Sequence, residues 1–329
     1  MKWRKNYLEM NIAIYSPNWV GDAALSLPFI SNIKLKHPDS KIIILCKKWV
    51  SSVYLNHPDI DDLIVIPSGK NNGLVNTLSI GLSLRNLNID VFYSLTDSFR
   101  SSIIMWLSGA IKRIGFNVQG RGLFLTHKPE LPPKKVHRSL KYLRLINRTK
   151  FDSNGEFIFF TEKELLWGKN EVKNLELKDF VALFPFSIAT ARTLPHEKIS
   201  EWINESNENY LIFGSDKESE EAEKIIKNNN DVSITSLCGK YSLRESMILI
   251  SLCKYALATD SGLGHIASII GVPTISFFGA NRLIVTGPIG KKSIFIDKSH
   301  RCKPCRKNIC CLRSITKADV NSSIIKVLP

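Results

Sequence analysis

Twice along this chain, short apolar runs alternate with longer amphipathic segments, and no other feature narrows the possible folds as much. In the first half, Asn11 to Ser16, Lys41 to Cys46, Asp62 to Pro67 and Asp90 to Leu95 read as strands, with helices over Asp22 to Leu35 and Phe99 to Ser108. In the second, strands over Phe180 to Phe184, Tyr210 to Phe213, Val232 to Leu237, Tyr255 to Thr259 and Thr274 to Phe278 alternate with four helical patterns. These patterns run over Pro195 to Asn204, Lys217 to Lys227, Ser242 to Leu252 and Leu263 to Ile270. Such a β-α-β-α cadence predicts a parallel sheet with helices on both faces. The first cadence breaks after Lys112 to Phe116, where Gly115, Gly120, Gly122, Pro129, Pro132 and Pro133 mark a long loop before a helix from His137 to Asn147. The polar stretch Arg148 to Lys178 is the expected linker. It divides the 329 residues into an N-terminal domain over 1–160 and a C-terminal domain over 161–329, each large enough for its own core. The predicted fold class is therefore α/β, two Rossmann-like doubly wound domains facing across a cleft lined by their strand-to-helix loops.

Composition excludes several alternatives. With 44% hydrophobic and 23% charged residues the chain should fold throughout. Met1 to Met10 is polar and basic, unlike a signal peptide or an anchor, and the longest apolar run, Ile266 to Ala280, is interrupted by Gly271 and Pro273. A cytosolic protein without a membrane span is expected. The net charge of +15 draws such a protein toward nucleic acid or an anionic membrane surface. The basic residues read as dispersed, and no nucleic-acid module is visible. Of seven cysteines, Cys46, Cys238 and Cys253 sit in apolar runs as core thiols, while Cys302, Cys305, Cys310 and Cys311 crowd together. In a reducing compartment that crowd suits zinc better than disulfides, although the adjacent Cys310-Cys311 pair departs from zinc-ribbon spacing.

Chemistry is expected in the loops that leave strands and enter helices. Thr259-Asp260-Ser261-Gly262-Leu263-Gly264-His265 is one such loop; its small residues admit a ligand to the backbone, and the free amides of a first helical turn favour a phosphate or diphosphate. Asp260 and Ser261 would equally serve as helix caps. The segment lacks G-x-G-x-x-G, which disfavours NAD. Ser16-Pro17-Asn18-Trp19-Val20-Gly21-Asp22 is a second loop of this kind, in which Asp22 either favours the helix dipole or acts as a general base, with Gly21 allowing close approach. The loop Ser187 to Thr193 offers hydroxyls and the Arg192 guanidinium, which can stabilise a departing diphosphate or simply be solvated. Glu218, after Gly214-Ser215, lies where it could reach a ribose hydroxyl, and Asp97, Ser98 and Arg100 follow the fourth strand, where a basic residue could meet an acidic acceptor or merely start a helix.

Taken together, Asn18-Trp19-Val20-Gly21-Asp22, Ser98-Phe99-Arg100-Ser101, Arg113-Ile114-Gly115-Phe116 and Asp260-Ser261-Gly262-Leu263-Gly264-His265 resemble the lipopolysaccharide heptosyltransferases of glycosyltransferase family 9, most of all the heptosyltransferase II branch. Cys302-x-x-Cys305 resembles a cysteine-rich segment of that branch. The resemblance implies a GT-B, inverting, metal-independent enzyme that uses ADP-heptose as donor and the lipopolysaccharide inner core as acceptor, with no separate cofactor. It makes Asp22 the base, and Asn18, Gly21 and Arg100 acceptor-binding residues. It places Ser187, Arg192, Thr193, Glu218, Asp260, Ser261, Gly262, Leu263, Gly264 and His265 on the donor. It further implies a monomer, without nucleic acid, peripheral to the cytoplasmic face of the inner membrane. Ala191-Arg192-Thr193-Leu194-Pro195 and Gly279-Ala280-Asn281 depart from the family pattern, which leaves room for another donor sugar or acceptor. Two other functions compete: a basic nucleic-acid-binding protein with a zinc module, and a GT-B-type sugar-nucleotide epimerase, which would need no acceptor.

Overall fold

A run such as Lys41–Lys47 (KIIILCK) has no polar alternation, so its strand must be covered on both faces, and it is buried from Ile42 to Cys46. The computed structural model describes residues 10–67, 73–150, 157–177, 179–299 and 311–328. The chain forms two compact units, Met1–Asp152 and Ser153–Pro329.

In the first unit the strands are β1 (Asn11–Tyr15), β2 (Lys41–Lys47), β3 (Asp62–Ile66), β4 (Val91–Ser94) and β5 (Lys112–Ile114). They lie in the order β3-β2-β1-β4-β5. Every pairing is parallel, with Ile12 opposite Ile42 on one side and Val91 on the other. Because β2 lies on one side of β1 and β4 on the other, the chain reverses its winding there, and the loops that follow β1 and β4 part at the carboxyl edge. Doubly wound sheets bind ligands in that crevice. The sheet core gathers Tyr15, Ile43, Leu45, Phe92, Ile104 and Met105. The helix Leu74–Ser83, absent from the sequence-based expectation, packs on Phe99–Leu107 so closely that a Cβ on Gly81 would lie 2.5 Å from Leu107 Cβ.

The second unit carries β6 (Phe180–Phe184), β7 (Asn209–Ile212), β8 (Ile234–Ser236), β9 (Ala256–Thr259), β10 (Thr274–Phe278) and β11 (Ser293–Asp297). Its order is β11-β10-β9-β6-β7-β8, again parallel throughout. Here the winding reverses between β6 and β9. A core of Val181, Ile199, Trp202, Tyr210, Leu257 and Phe277 lies on one face, and Phe180, Phe184, Leu249 and Ala267 on the other. Trp202 stacks on Phe277 at 4.7 Å and donates its indole N–H to Ile315 O at 3.2 Å, which fastens the C-terminal segment to the sheet.

The expected linker is corrected in part. Within Arg148 to Lys178 the structure has a helix, Glu162–Asn174, whose capping box pairs Thr161 with Glu164. It docks on the helix Leu243–Ile250 through Arg244, whose guanidinium reaches Glu164 at 2.8 Å, and through Gly168, where a Cβ would meet Ile248 at 2.6 Å. Its polar composition hides it, because its few apolar contacts, Trp167 and Val172 on the sheet core, are joined by an ion pair and a missing side chain.

Candidate active site

The second unit's reversal point brings the loop after β6 and the loop after β9 together around one buried carboxylate. Asp260 is 5% exposed. Its Oδ2 accepts from Arg192 Nη1 at 3.1 Å and from Asn281 Nδ2, and its Oδ1 lies 3.6 Å from His265 Nε2. Ser187 Oγ donates to the Asp260 carbonyl at 3.2 Å, and the Thr259 hydroxyl donates to the carbonyl of Arg192. Burial pushes the Asp260 carboxyl upward, but hydrogen bonds from His265 and Asn281 and the charges of His265 and Arg192 outweigh it, so the group stays below its ordinary value. Ser261 caps the helix Gly262–Ile270 by accepting from Gly264 N–H at 3.4 Å. Gly264 is fixed by contact: a Cβ there would lie 2.9 Å from Ala258 and 3.1 Å from Thr259 O. Glycine in this turn thus lets the helix start lie against β9. The buried Nδ1 of His265 has no hydrogen-bond partner among the described residues, an unusual cost for a packed histidine.

Other predicted donor residues have local roles. Thr193 Oγ1 accepts from Ser187 N–H at 3.3 Å and closes the loop after β6. Glu218 accepts from Ser215 N–H at 2.6 Å and from its hydroxyl at 2.9 Å in a capping box. In this unit Asn281 is the residue that sequence reasoning missed: it follows β10, next to β9, and stands in a segment that departs from the family pattern.

The first unit shows a parallel arrangement at its own reversal point. Asp22, in the first turn of Val20–Lys36, meets Arg138 Nε at 3.2 Å, and Asp97, after β4, receives Lys141 Nζ at 2.6 Å. Both cations stand on one helix, Arg138–Leu143, at the i, i+3 spacing that puts them on one face. The loop after β1 rests on buried hydroxyls, with Ser16 Oγ 2.8 Å from Tyr54 Oη, and Trp49 Nε1 donates to Asn18 O at 2.7 Å. The loop after β4 is tied by Ser94, which donates to Thr96 O at 2.9 Å, and by Ser98, which caps Phe99–Leu107. Arg100 is half-buried, and its charge acts on Tyr15 and on Lys47 at the end of β2. Burial first, and Arg100 second, hold the Lys47 amine below its usual value. Arg121 is 0% exposed and donates to Thr96 O; a Cβ on Gly115 would lie 2.4 Å from its guanidinium, so a larger residue there would displace the buried arginine. Sequence reasoning missed Lys47, Arg121, Arg138 and Lys141. It also read the basic residues as dispersed. Residues 98–150 in fact hold twelve Lys and Arg against one acid, Glu130, while residues 10–97 hold seven of each sign.

The profile of glycosyltransferase family 9 (heptosyltransferase) matches residues 77–316, a stretch that includes the Asp260 cluster, Arg192 and the Arg138 helix. The chain belongs to glycosyltransferase family 9. This heptosyltransferase-family chain is 25% identical over 302 residues to lipopolysaccharide heptosyltransferase 2 of Escherichia coli K12, covering 86% of this chain and 87% of that one. It is also 25% identical over 331 residues to lipopolysaccharide heptosyltransferase 3 of the same strain, with 94% and 95% covered. The solved structure of E. coli ADP-heptose lipopolysaccharide heptosyltransferase II superposes with a TM-score of 0.80 at 21% identity, covering 97% of this chain and 98% of that one. The two parallel-sheet units are thus the GT-B fold of that family.

Cys302, Cys305 and Cys310 lie outside the described residues, and Cys311 is half-exposed. Burial pushes the thiols of Cys46 and Cys253 up to about 12, which leaves both unreactive at neutral pH. Among the described residues no helix is long and apolar enough to cross a membrane.

Proposed function

We propose that this family 9 glycosyltransferase moves a heptose from ADP-L-glycero-D-manno-heptose to the inner core of lipopolysaccharide, in the manner of the heptosyltransferase II branch. The observation that carries the reading is the Asp260 cluster, in which one buried carboxylate orients Arg192 and Asn281 beside a helix start whose first amides carry no intrahelical bond. A bare carboxylate repels a diphosphate, so Asp260 serves to hold the groups that bind one. Arg192, with about a quarter of its side chain exposed, and the amides of Gly262 and Leu263 take the negative charge, while Gly264, whose amide is held by Ser261, keeps the turn close to the sheet. Ser187, Thr193 and Ser261 shape the two loops, His265 Nδ1 faces the sugar, and Glu218 keeps one carboxylate oxygen for the ribose. The solved relative is described as an ADP-heptose enzyme, which supports the donor.

On the acceptor side, Asp22 takes the proton of the attacking hydroxyl as its oxygen bonds to the anomeric carbon, and the bond from that carbon to the diphosphate breaks. A single displacement of this kind inverts the anomeric centre and needs no metal, because Arg192 and the amides stabilise the leaving ADP. Asn18 and Gly21 leave room for the acceptor, and Arg100 meets its acidic sugars. The protein acts as a monomer at the cytoplasmic face of the membrane that holds the acceptor.

Equal identity to heptosyltransferases 2 and 3 favours one second reading, a family 9 enzyme that glycosylates a different position or uses a different donor. A donor panel, with nucleotide release as readout, separates them. The expected result is ADP release from ADP-heptose that requires a heptosylated lipid acceptor. Release from another nucleotide sugar, or with an acceptor lacking heptose, would favour the second reading; turnover of donor with no acceptor would refute transfer altogether.

A further inference from the structure

The basic segment 98–150 coincides with a surface that is apolar as well. Phe99 and Trp106, seven residues apart and therefore on one face of their helix, both contact the Phe124 ring, at 5.6 and 5.7 Å. Trp106 is 52% exposed and the neighbouring Leu123 89%. The adjacent helix Leu74–Ser83 adds Leu74, Leu78 and Leu82, spaced at i, i+4 and i+8 and all exposed, on the side that adjoins the Gly81 contact with Leu107. Clusters of exposed large apolar side chains on a water-facing surface mark an interaction site.

Cations frame this patch. Arg113 Nε donates to Phe124 O at 2.7 Å, and Ile114 pairs with His127, so β5 runs beside the segment that carries Leu123 and Phe124. That places Lys112 and Lys128 at its border. Both are exposed, and neither forms an ion pair among the described residues.

A second copy of this chain would set these lysines against their own kind. An acidic, apolar-cored sheet of phospholipid satisfies both halves of the surface: aromatic and aliphatic tips enter the headgroup boundary and cations meet phosphates. We infer that the exposed faces of Leu74–Ser83 and Phe99–Leu107, with Leu123, Lys112 and Lys128, are the surface by which the protein docks on an anionic lipid bilayer. The inference rests on the proposal above that the acceptor is membrane-held, and names the surface responsible.

The test is co-sedimentation of the full chain with vesicles of phosphatidylcholine and phosphatidylglycerol in equal parts, and with vesicles of phosphatidylcholine alone. Wild type should sediment with the anionic vesicles, lose at least tenfold in affinity between 0.1 and 0.5 M salt, on the order expected when several cations are screened, and remain largely in solution with the neutral ones. Trp106→Ser with Leu123→Ser, and separately Lys112→Glu with Lys128→Glu, should each weaken anionic binding about tenfold or more. Turnover of a delipidated acceptor is followed in the same samples and should not change. Wild type that ignores lipid charge, or variants that bind as wild type does, would overturn the inference. So would a dimer in ultracentrifugation that Trp106→Ser dissolves, since the patch would then belong to a second copy. Failure of turnover on the delipidated acceptor in wild type would instead count against the proposed function.

Discussion

Arg192 and Asp260 show how little a single residue decides. Arginine alone in a loop is ordinary; arginine held at 3.1 Å by a carboxylate that is itself buried and bonded to Asn281 is fixed in place before any ligand arrives. Fixed donors stabilise developing charge because they need not reorganise. Arg192→Ala should therefore lower turnover about 10² to 10³-fold in steady-state kinetics, the range for loss of one preorganised donor, with the acceptor KM unchanged. Retention of more than half the rate would remove Arg192 from the donor site. Asp260→Asn tests the positioning role: the depressed carboxyl contributes stability above the ordinary carboxylate range, lost as pH falls through its lowered value. The gap in melting temperature between wild type and Asp260→Asn should accordingly shrink on acidification below pH ~4. A gap that is constant with pH would mean that the ionised form gains nothing from its neighbours. The Asp260 turn was legible in the sequence because it directly follows an apolar run, and Asp22 and Arg192 stood out because each lies in the segment between an apolar run and a helix. Arg138, Lys141 and Asn281 were not, because their partners lie 116, 44 and 21 residues away and only the fold supplies the distance.

At the scale of elements, β1, β2 and β6 were readable from nearly unbroken apolar runs and β10 from a mostly apolar one, and their parallel pairing followed from the helices between them. The helix Glu162–Asn174 escaped notice since only Trp167 and Val172 pack on the core from a largely polar segment, and the rest of its docking uses Glu164, Arg244 and Gly168. The hydrogen bond from Arg244 first, against burial and with help from Thr161, brings the Glu164 carboxyl down to about 2 from an ordinary 4.5. A depressed carboxyl contributes above its unfolded value and loses that contribution as pH falls toward its folded one. Glu164→Gln should thus destabilise the protein in urea titration at pH 6, and the difference from wild type should narrow at pH 3. An equal difference at both would show that Arg244 does not hold the ionised form. Trp202 offers the packing counterpart: its stack on Phe277 and its bond to Ile315 hold the C-terminal segment, so Trp202→Ala should cost about 3–5 kcal/mol. A loss below 1 kcal/mol would mean that the segment is held elsewhere.

For the molecule as a whole, two doubly wound units carry different side-chain clusters at the same topological position. Where the winding of each sheet reverses, the first gathers Asp22 with Arg138 and Asp97 with Lys141, and the second gathers Arg192, Asn281 and His265 about Asp260. The net charge, read from the sequence as a diffuse excess, concentrates in residues 98–150 of the first unit, which agrees in sign with the acidic acceptor and lipid surface proposed for it. The proposed role of Asp22, removal of the acceptor proton without a part in holding the donor, is open to a paired experiment on Asp22→Asn: calorimetric titration with ADP beside turnover of donor and acceptor. The expected result is an ADP affinity within about twofold of wild type and a rate lower by about 10² to 10⁴, the usual worth of a general base. A variant that binds ADP normally and still transfers sugar at the wild-type rate would contradict it.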